Sequence, residues 1–156
     1  MKKTYQIYAN SNEGVGDDNA NKEYTFDWNI MPEGTYEMTW SFRSEAHIIS
    51  FTFSQFQSVV SRIAIDVPFM ADRYEVNFAT GNAATTNVAG FIQFYEAQGH
   101  AGNVQRQYRA EVGDNAPVIL RGKPSGNTFK VRCLQIGNEL GSMFPYVLVI
   151  NLKHIC

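Results

Sequence analysis

Large apolar side chains recur at alternate positions over several short stretches of the chain. Tyr24, Phe26 and Trp28 form the first. A Met31-Pro32-Glu33-Gly34 break follows, where proline presets φ and glycine accepts a left-handed turn. Then Tyr36, Met38, Trp40 and Phe42 alternate with Thr35, Glu37, Thr39, Ser41 and Arg43. Period two puts the rings on one face of a strand and the polar groups on the other, as a half-buried sheet requires. Shorter runs occur at Ile49, Phe51 and Phe53; at Ile63, Ile65 and Val67; at Tyr74, Val76 and Phe78; and at Ile92 and Phe94. Phe129, Val131 and Cys133, then Tyr146, Leu148, Ile150 and Leu152, close the chain. Pro68, Gly81-Asn82, Gly90, Gly99, Gly102-Asn103 and Gly113-Asp114-Asn115 punctuate these runs. No window sustains the apolar pattern of a helix, although residues 55–60 fit one or two turns.

The pattern predicts an all-β chain of about eight antiparallel strands, arranged as a two-sheet sandwich or a barrel. They are placed near 23–29, 35–44, 60–67, 74–79, 88–96, 104–112 or 117–121, 128–135 and 145–153. Tyr24, Phe26, Trp28, Tyr36, Met38, Trp40, Phe42, Leu148 and Ile150 are its predicted core. Residues 11–22 combine Gly, Asn and Asp with almost no apolar side chains and read as a flexible linker. The chain is thereby divided into an arm and linker, 1–22, and one domain, 23–156. The arm, Thr4, Tyr5, Gln6, Ile7, Tyr8 and Ala9, is a candidate contact element that orders by pairing with a neighbouring sheet edge.

Composition narrows the functions. A net charge of -2 lacks the basic excess of a protein that binds nucleic acid by neutralising phosphates. At 156 residues a single core suffices without disulfides or metal, and two cysteines are too few for a disulfide framework. The first residues alternate polar and apolar and show no continuous apolar signal segment, and no apolar run is long enough to span a bilayer.

Candidate chemistry is sparse. Cys133, His154 and Cys156 are the best soft-ligand set for zinc; His47 and His100 lie far from them in sequence, and Cys133 also continues the apolar face of Phe129 and Val131. Glu13, Asp17 and Asp18 lack the alternating ligand spacing of a calcium loop. Arg121-Gly122-Lys123 has proline at position 117 where a phosphate loop needs glycine, and reads as a turn. Ser125 is not in a nucleophile elbow, and Glu96, Glu111 and Asp114 sit where charges are ordinarily solvated. The residues therefore point to no catalytic group, no cofactor and no enzyme. The 21 aromatic rings, 8 Tyr, 11 Phe and 2 Trp, alternate regularly and suit two inward sheet faces better than a stacking platform.

The order of these features resembles a known family. Residues 24–29, the Met31-Pro32-Glu33-Gly34 turn and residues 35–45 are similar to the opening strand pair of small single jelly-roll capsid proteins of large double-stranded DNA viruses. Residues 90–95, the strand from Pro117, residues 124–127 and 128–134, and the closing stretch 145–152 follow in similar order, and residues 7–11 resemble that family's N-terminal segment. The resemblance implies one jelly roll and a structural role as a minor capsid or penton component, the chain being too short for a double jelly roll. It also implies partners among copies of itself and the major capsid protein, homo-oligomers in assembly, no direct contact with nucleic acid, and a place in the virion capsid after assembly in the host cytoplasm. Jelly rolls also serve as carbohydrate- or receptor-binding modules and as cupin-type enzymes, which remain the alternatives.

Overall fold

The computed structural model of the chain describes residues 3–45, 47–50, 60–70, 74–76, 83–85, 87–98, 103–135 and 143–156. The expected strand positions Phe51, Phe53 and Phe78 and the possible turns at 55–59 lie outside them. The chain is all-β. Its strands are β1 (Thr4–Asn10), β2 (Asn21–Thr25), β3 (Gly34–Ser44), β4 (His47–Ser50), β5 (Val60–Asp66), β6 (Tyr74–Val76), β7 (Ala83–Thr85), β8 (Val88–Gln98), β9 (Asn103–Ala110), β10 (Val118–Gly122), β11 (Thr128–Gln135) and β12 (Tyr146–His154).

Two of these are continuations. β3 pairs β9 at Phe42↔Ala110 and Arg43↔Arg109, and β4 goes on along the same strand at His47↔Arg106, one residue out of step, as a bulge requires. In the partner strand, β10 resumes against the same edge of β3 at Val118↔Met38 after residues 111–117 loop out of line. The alternative strands 104–112 and 117–121 are thus two halves of one interrupted strand.

All pairings in the large sheet are antiparallel, in the order β1-β12-β3-β9-β8-β5-β11-β2. Counting β3 with β4 and β9 with β10, the principal strands pair first with last, second with seventh, third with sixth and fourth with fifth. This is a long hairpin rolled up on itself, the connectivity of a jelly roll. One sheet is β1-β12-β3-β9, the other β2-β11-β5-β8, and the β8–β9 hairpin joins them along one side. β6 and β7 form a separate small hairpin.

Alternation fixes the interior. Tyr36, Met38, Trp40 and Phe42 of β3, Tyr146, Leu148, Ile150 and Leu152 of β12, Ile63 and Ile65 of β5, and Phe129 and Val131 of β11 are all buried. Burial of each such side chain contributes roughly 1.5–3 kcal/mol. Rings interlock within this interior: Trp28 meets Phe69 edge-on at 5.4 Å and Phe129 at 5.9 Å, and Phe42 stacks on Tyr146 of the neighbouring strand at 4.7 Å.

The first strand differs from the expected 23–29. β2 ends at Thr25, and Trp28 reaches the core from a 3-10 turn, Trp28–Ile30, while Phe26 is half-buried. The Asp27 carboxylate accepts from the Asn29 amide at 3.1 Å and turns the chain out of the strand. Trp28 is then held by its indole N–H, which donates to the Thr128 carbonyl at 2.9 Å.

The N-terminal segment also differs from an arm on a loose tether. Residues 4–10 are β1, an integral strand, and residues 11–20 cross from one sheet to the other. Ser11 is fully buried, its Oγ accepting from the Tyr146 amide at 2.9 Å, and Val15 exchanges backbone bonds with Glu23 at 2.8 and 3.0 Å. The expected boundary after residue 22 falls inside β2. Polar composition conceals this order because the segment is satisfied by backbone and hydroxyl bonds rather than by apolar burial.

Candidate assembly surface

β1 is the outer strand of the first sheet. It pairs with β12 over its whole length, from Thr4↔Lys153 to Asn10↔Val147, without a bulge. Ile7 and Ala9 point into the core, and Tyr5 packs edge-on against Tyr36 at 6.3 Å. The His154 amide donates to the Lys3 carbonyl at 2.9 Å, which sets the phase of the ladder. Antiparallel bonding alternates, so the backbone groups of Tyr5, Ile7 and Ala9 turn towards β12, whereas those of Thr4, Gln6 and Tyr8 turn outward. No strand among the described residues takes up that outer side.

Edge strands are normally blunted by charge, proline, a bulge or brevity. β1 is seven residues, Thr4-Tyr5-Gln6-Ile7-Tyr8-Ala9-Asn10, and has none of the first three devices. Its outward side chains continue onto a face with no charge at its centre: Gln6 lies beside Asn151 and Thr39, and Tyr8 beside Val149 and Ser41. Tyr8 is 67% exposed. Its hydroxyl donates to Gln6 Oε1 at 2.6 Å, and Gln6 Nε2 donates to Asn151 Oδ1 at 2.8 Å, holding the ring along the edge. Charge lies at the two ends, with exposed Lys3 before β1 and exposed Glu13 in the turn after it.

The soft-ligand set does not assemble. Cys133 is on β11 in the second sheet, opposite Ile63, whereas His154 is on β12 in the first and Cys156 lies just beyond it. Burial, with a smaller contribution from Asp18, pushes the Cys133 thiol up to about 12, which keeps it protonated and a poor ligand. His154 packs on Tyr36 at 4.8 Å, and its Nε2 occupies the space a side chain at Gly34 would need. Gly34, at φ +151°, also leaves room for the Cys156 carbonyl, which accepts from the Thr35 amide at 2.8 Å. No group of three or more His, Cys, Asp or Glu side chains is arranged for a metal among the described residues.

The other sequence candidates are also placed. Asp18 caps the Ala20 amide at 2.9 Å. Arg121 and Gly122 end β10, opposite Thr35 and Gly34, so the expected turn is instead a strand end followed by Lys123. Glu111 pairs with Arg43 at 3.2 Å on the surface, and Asp114 accepts from the Glu111 amide at 2.7 Å.

A surface recess of about 360 Å³ is lined by Phe91, Ile92, Gln93, Arg109, Asp114 and Asn115. The Asn115 amide group works there as a short extra strand. It accepts from the Phe91 amide and donates to the Phe91 carbonyl, both at 2.9 Å, and pins the 111–117 excursion to β8. The Phe91 ring is 50% exposed. Sequence reasoning had no signal for this clamp, since its two halves lie 24 residues apart.

Among the described residues no helix is long and apolar enough to cross a membrane. No protein-family model matches the chain, and no curated protein is found similar to it.

Proposed function

We propose that this chain is a viral structural protein, a minor capsid or penton component that builds an icosahedral shell with copies of itself and the major capsid protein. The observation that carries the reading is the jelly-roll connectivity around an aromatic core, combined with an unblunted strand edge at β1. A packed sandwich is a rigid wedge, and closed symmetric shells form when such wedges meet through edges and loops. The stretches 24–29, 31–45, 90–95, 117–120, 124–134 and 145–152 add the resemblance to single jelly-roll capsid proteins. The role requires the protein in the virion capsid after assembly in the host cytoplasm. Mass spectrometry of purified particles tests it: stoichiometric presence supports the shell role, and absence from virions despite abundance in infected cells overturns it.

A second reading has one observation in its favour. The half-exposed Phe91 ring beside Arg109, Asp114 and Gln93 is the arrangement a sugar ring stacks on. Against it, Asn115 and Asp114 already bond the chain's own backbone. A glycan array on the purified protein decides between the two.

A further inference from the structure

We infer that two copies of this chain associate by antiparallel pairing of their β1 edges, centred on Ile7, so that the first sheets of both copies become one continuous sheet. The inference rests on taking the β1 edge as an assembly surface, and adds its occupant and its register.

Three features select a second copy as the occupant. The outward backbone groups of Thr4, Gln6 and Tyr8 are spaced two residues apart, and such an edge is self-complementary under a two-fold axis. Charge sets the direction. The strand carries exposed Lys3 just before its start and exposed Glu13 in the turn just past its end, so antiparallel pairing brings each basic end towards the other copy's acidic end. Parallel pairing would put like beside like. Length sets the register. Outward-facing residues must oppose one another, and the only symmetric alignment that uses all of Thr4–Asn10 places Gln6 opposite the second copy's Tyr8, and Thr4 opposite its Asn10.

In that register the exposed Tyr8 ring gains a neighbour on its bare side, the second copy's Gln6, and the uncharged central face continues across the axis. Ile7 of each copy stays in its own core. No bond within either copy has to break, because β12 uses the opposite side of β1.

The experiment combines sedimentation of the full chain with amide hydrogen exchange over a range of protein concentrations. The expected result is a monomer–dimer equilibrium that weakens with added salt. The Gln6 and Tyr8 amides should slow in exchange as the dimer forms, while those of Tyr5 and Ile7, already bonded to β12, stay unchanged. Gln6→Pro removes an outward amide and no bond to β12. It should weaken dimerisation about tenfold or more, because the symmetric contact loses two bonds at once. Tyr8→Lys, which sets like charges about the axis, should do the same, and circular dichroism on both variants confirms the fold. Three results overturn the inference: a monomer at every concentration, a dimer whose Gln6 and Tyr8 amides exchange as fast as in dilute solution, or a Gln6→Pro variant that dimerises normally. Protection of those amides only within particles would assign the edge to another protein's strand and leave the shell role standing. A β1-paired dimer from a chain absent from virions would do the reverse.

Discussion

The Tyr24 hydroxyl donates a hydrogen bond of 3.0 Å to the Tyr146 hydroxyl inside the core, and so ties β2 of one sheet to β12 of the other. The two phenols are a polar fastening inside a core whose layers otherwise touch there through rings and aliphatic chains. Tyr24→Phe takes away the donor and leaves the Tyr146 oxygen buried without it, which should cost about 1–2 kcal/mol in urea unfolding. Replacing both by Phe should cost less than the sum of the single changes, because no hydroxyl is then stranded.

Alkaline pH should destabilise the fold. Burial raises the Cys133 thiol from 9.0 to about 12, and raises both Tyr24 and Tyr146 above 10.0. The unfolded chain therefore loses these protons before the folded one does. Stability is fully present below pH 9.0 and falls as pH climbs towards 12, by up to about 1.4 kcal/mol per pH unit for the thiol. Thermal melts between neutral pH and the alkaline range read this directly, and Cys133→Ala should flatten the stretch between 9.0 and 10.0, before the tyrosines contribute.

Deleting residues 1–10 should abolish cooperative unfolding rather than release a free domain. The deletion strips β12 of its ladder on one side, leaving β3 on the other, and removes Ile7 and Ala9 from the core. Ile7→Ala alone should cost about 2 kcal/mol, as expected for a buried isoleucine. Near-ultraviolet circular dichroism and a denaturant titration check both; a deletion variant with wild-type signals would restore the picture of a separable arm.

Asn115→Ala should loosen the 111–117 excursion, costing about 1–2 kcal/mol for two lost backbone bonds. Gly90→Ala should be worse. Gly90 sits at φ +158°, and a side chain there would run into Asn115. Hydrogen exchange at the Phe91 amide should rise in both variants, and denaturant unfolding gives the energies.

The legible parts of this fold are those that repeat at period two. Tyr36, Met38, Trp40 and Phe42, and Leu148 and Ile150, lie in the core as the alternation requires. Trp28 is in the core for a different reason, since the Asp27 side chain ends the strand and one turn carries the ring inward, which a spacing rule does not register. β1 shows the same alternation in Tyr5, Ile7 and Ala9, yet its partner β12 lies at the far end of the chain, and local pattern carries no information about pairing across such a distance. Of the candidate surface, the extended conformation of residues 4–9 was legible, while their place inside the domain depends on topology. Cys133 and His154 look close on strand-end arithmetic but belong to opposite sheets, which only the order of pairing decides.

The seam between β1 and β12 has a consequence for biosynthesis. A ribosome delivers β1 well before β12, its ladder partner among the described residues. Until β12 emerges, the nascent chain holds a seven-residue uncharged strand with both sides bare, at the stage when sticky segments are most dangerous. Translation speed and chaperone occupancy between β1 and β12 should therefore govern the yield of this protein more than its finished stability does.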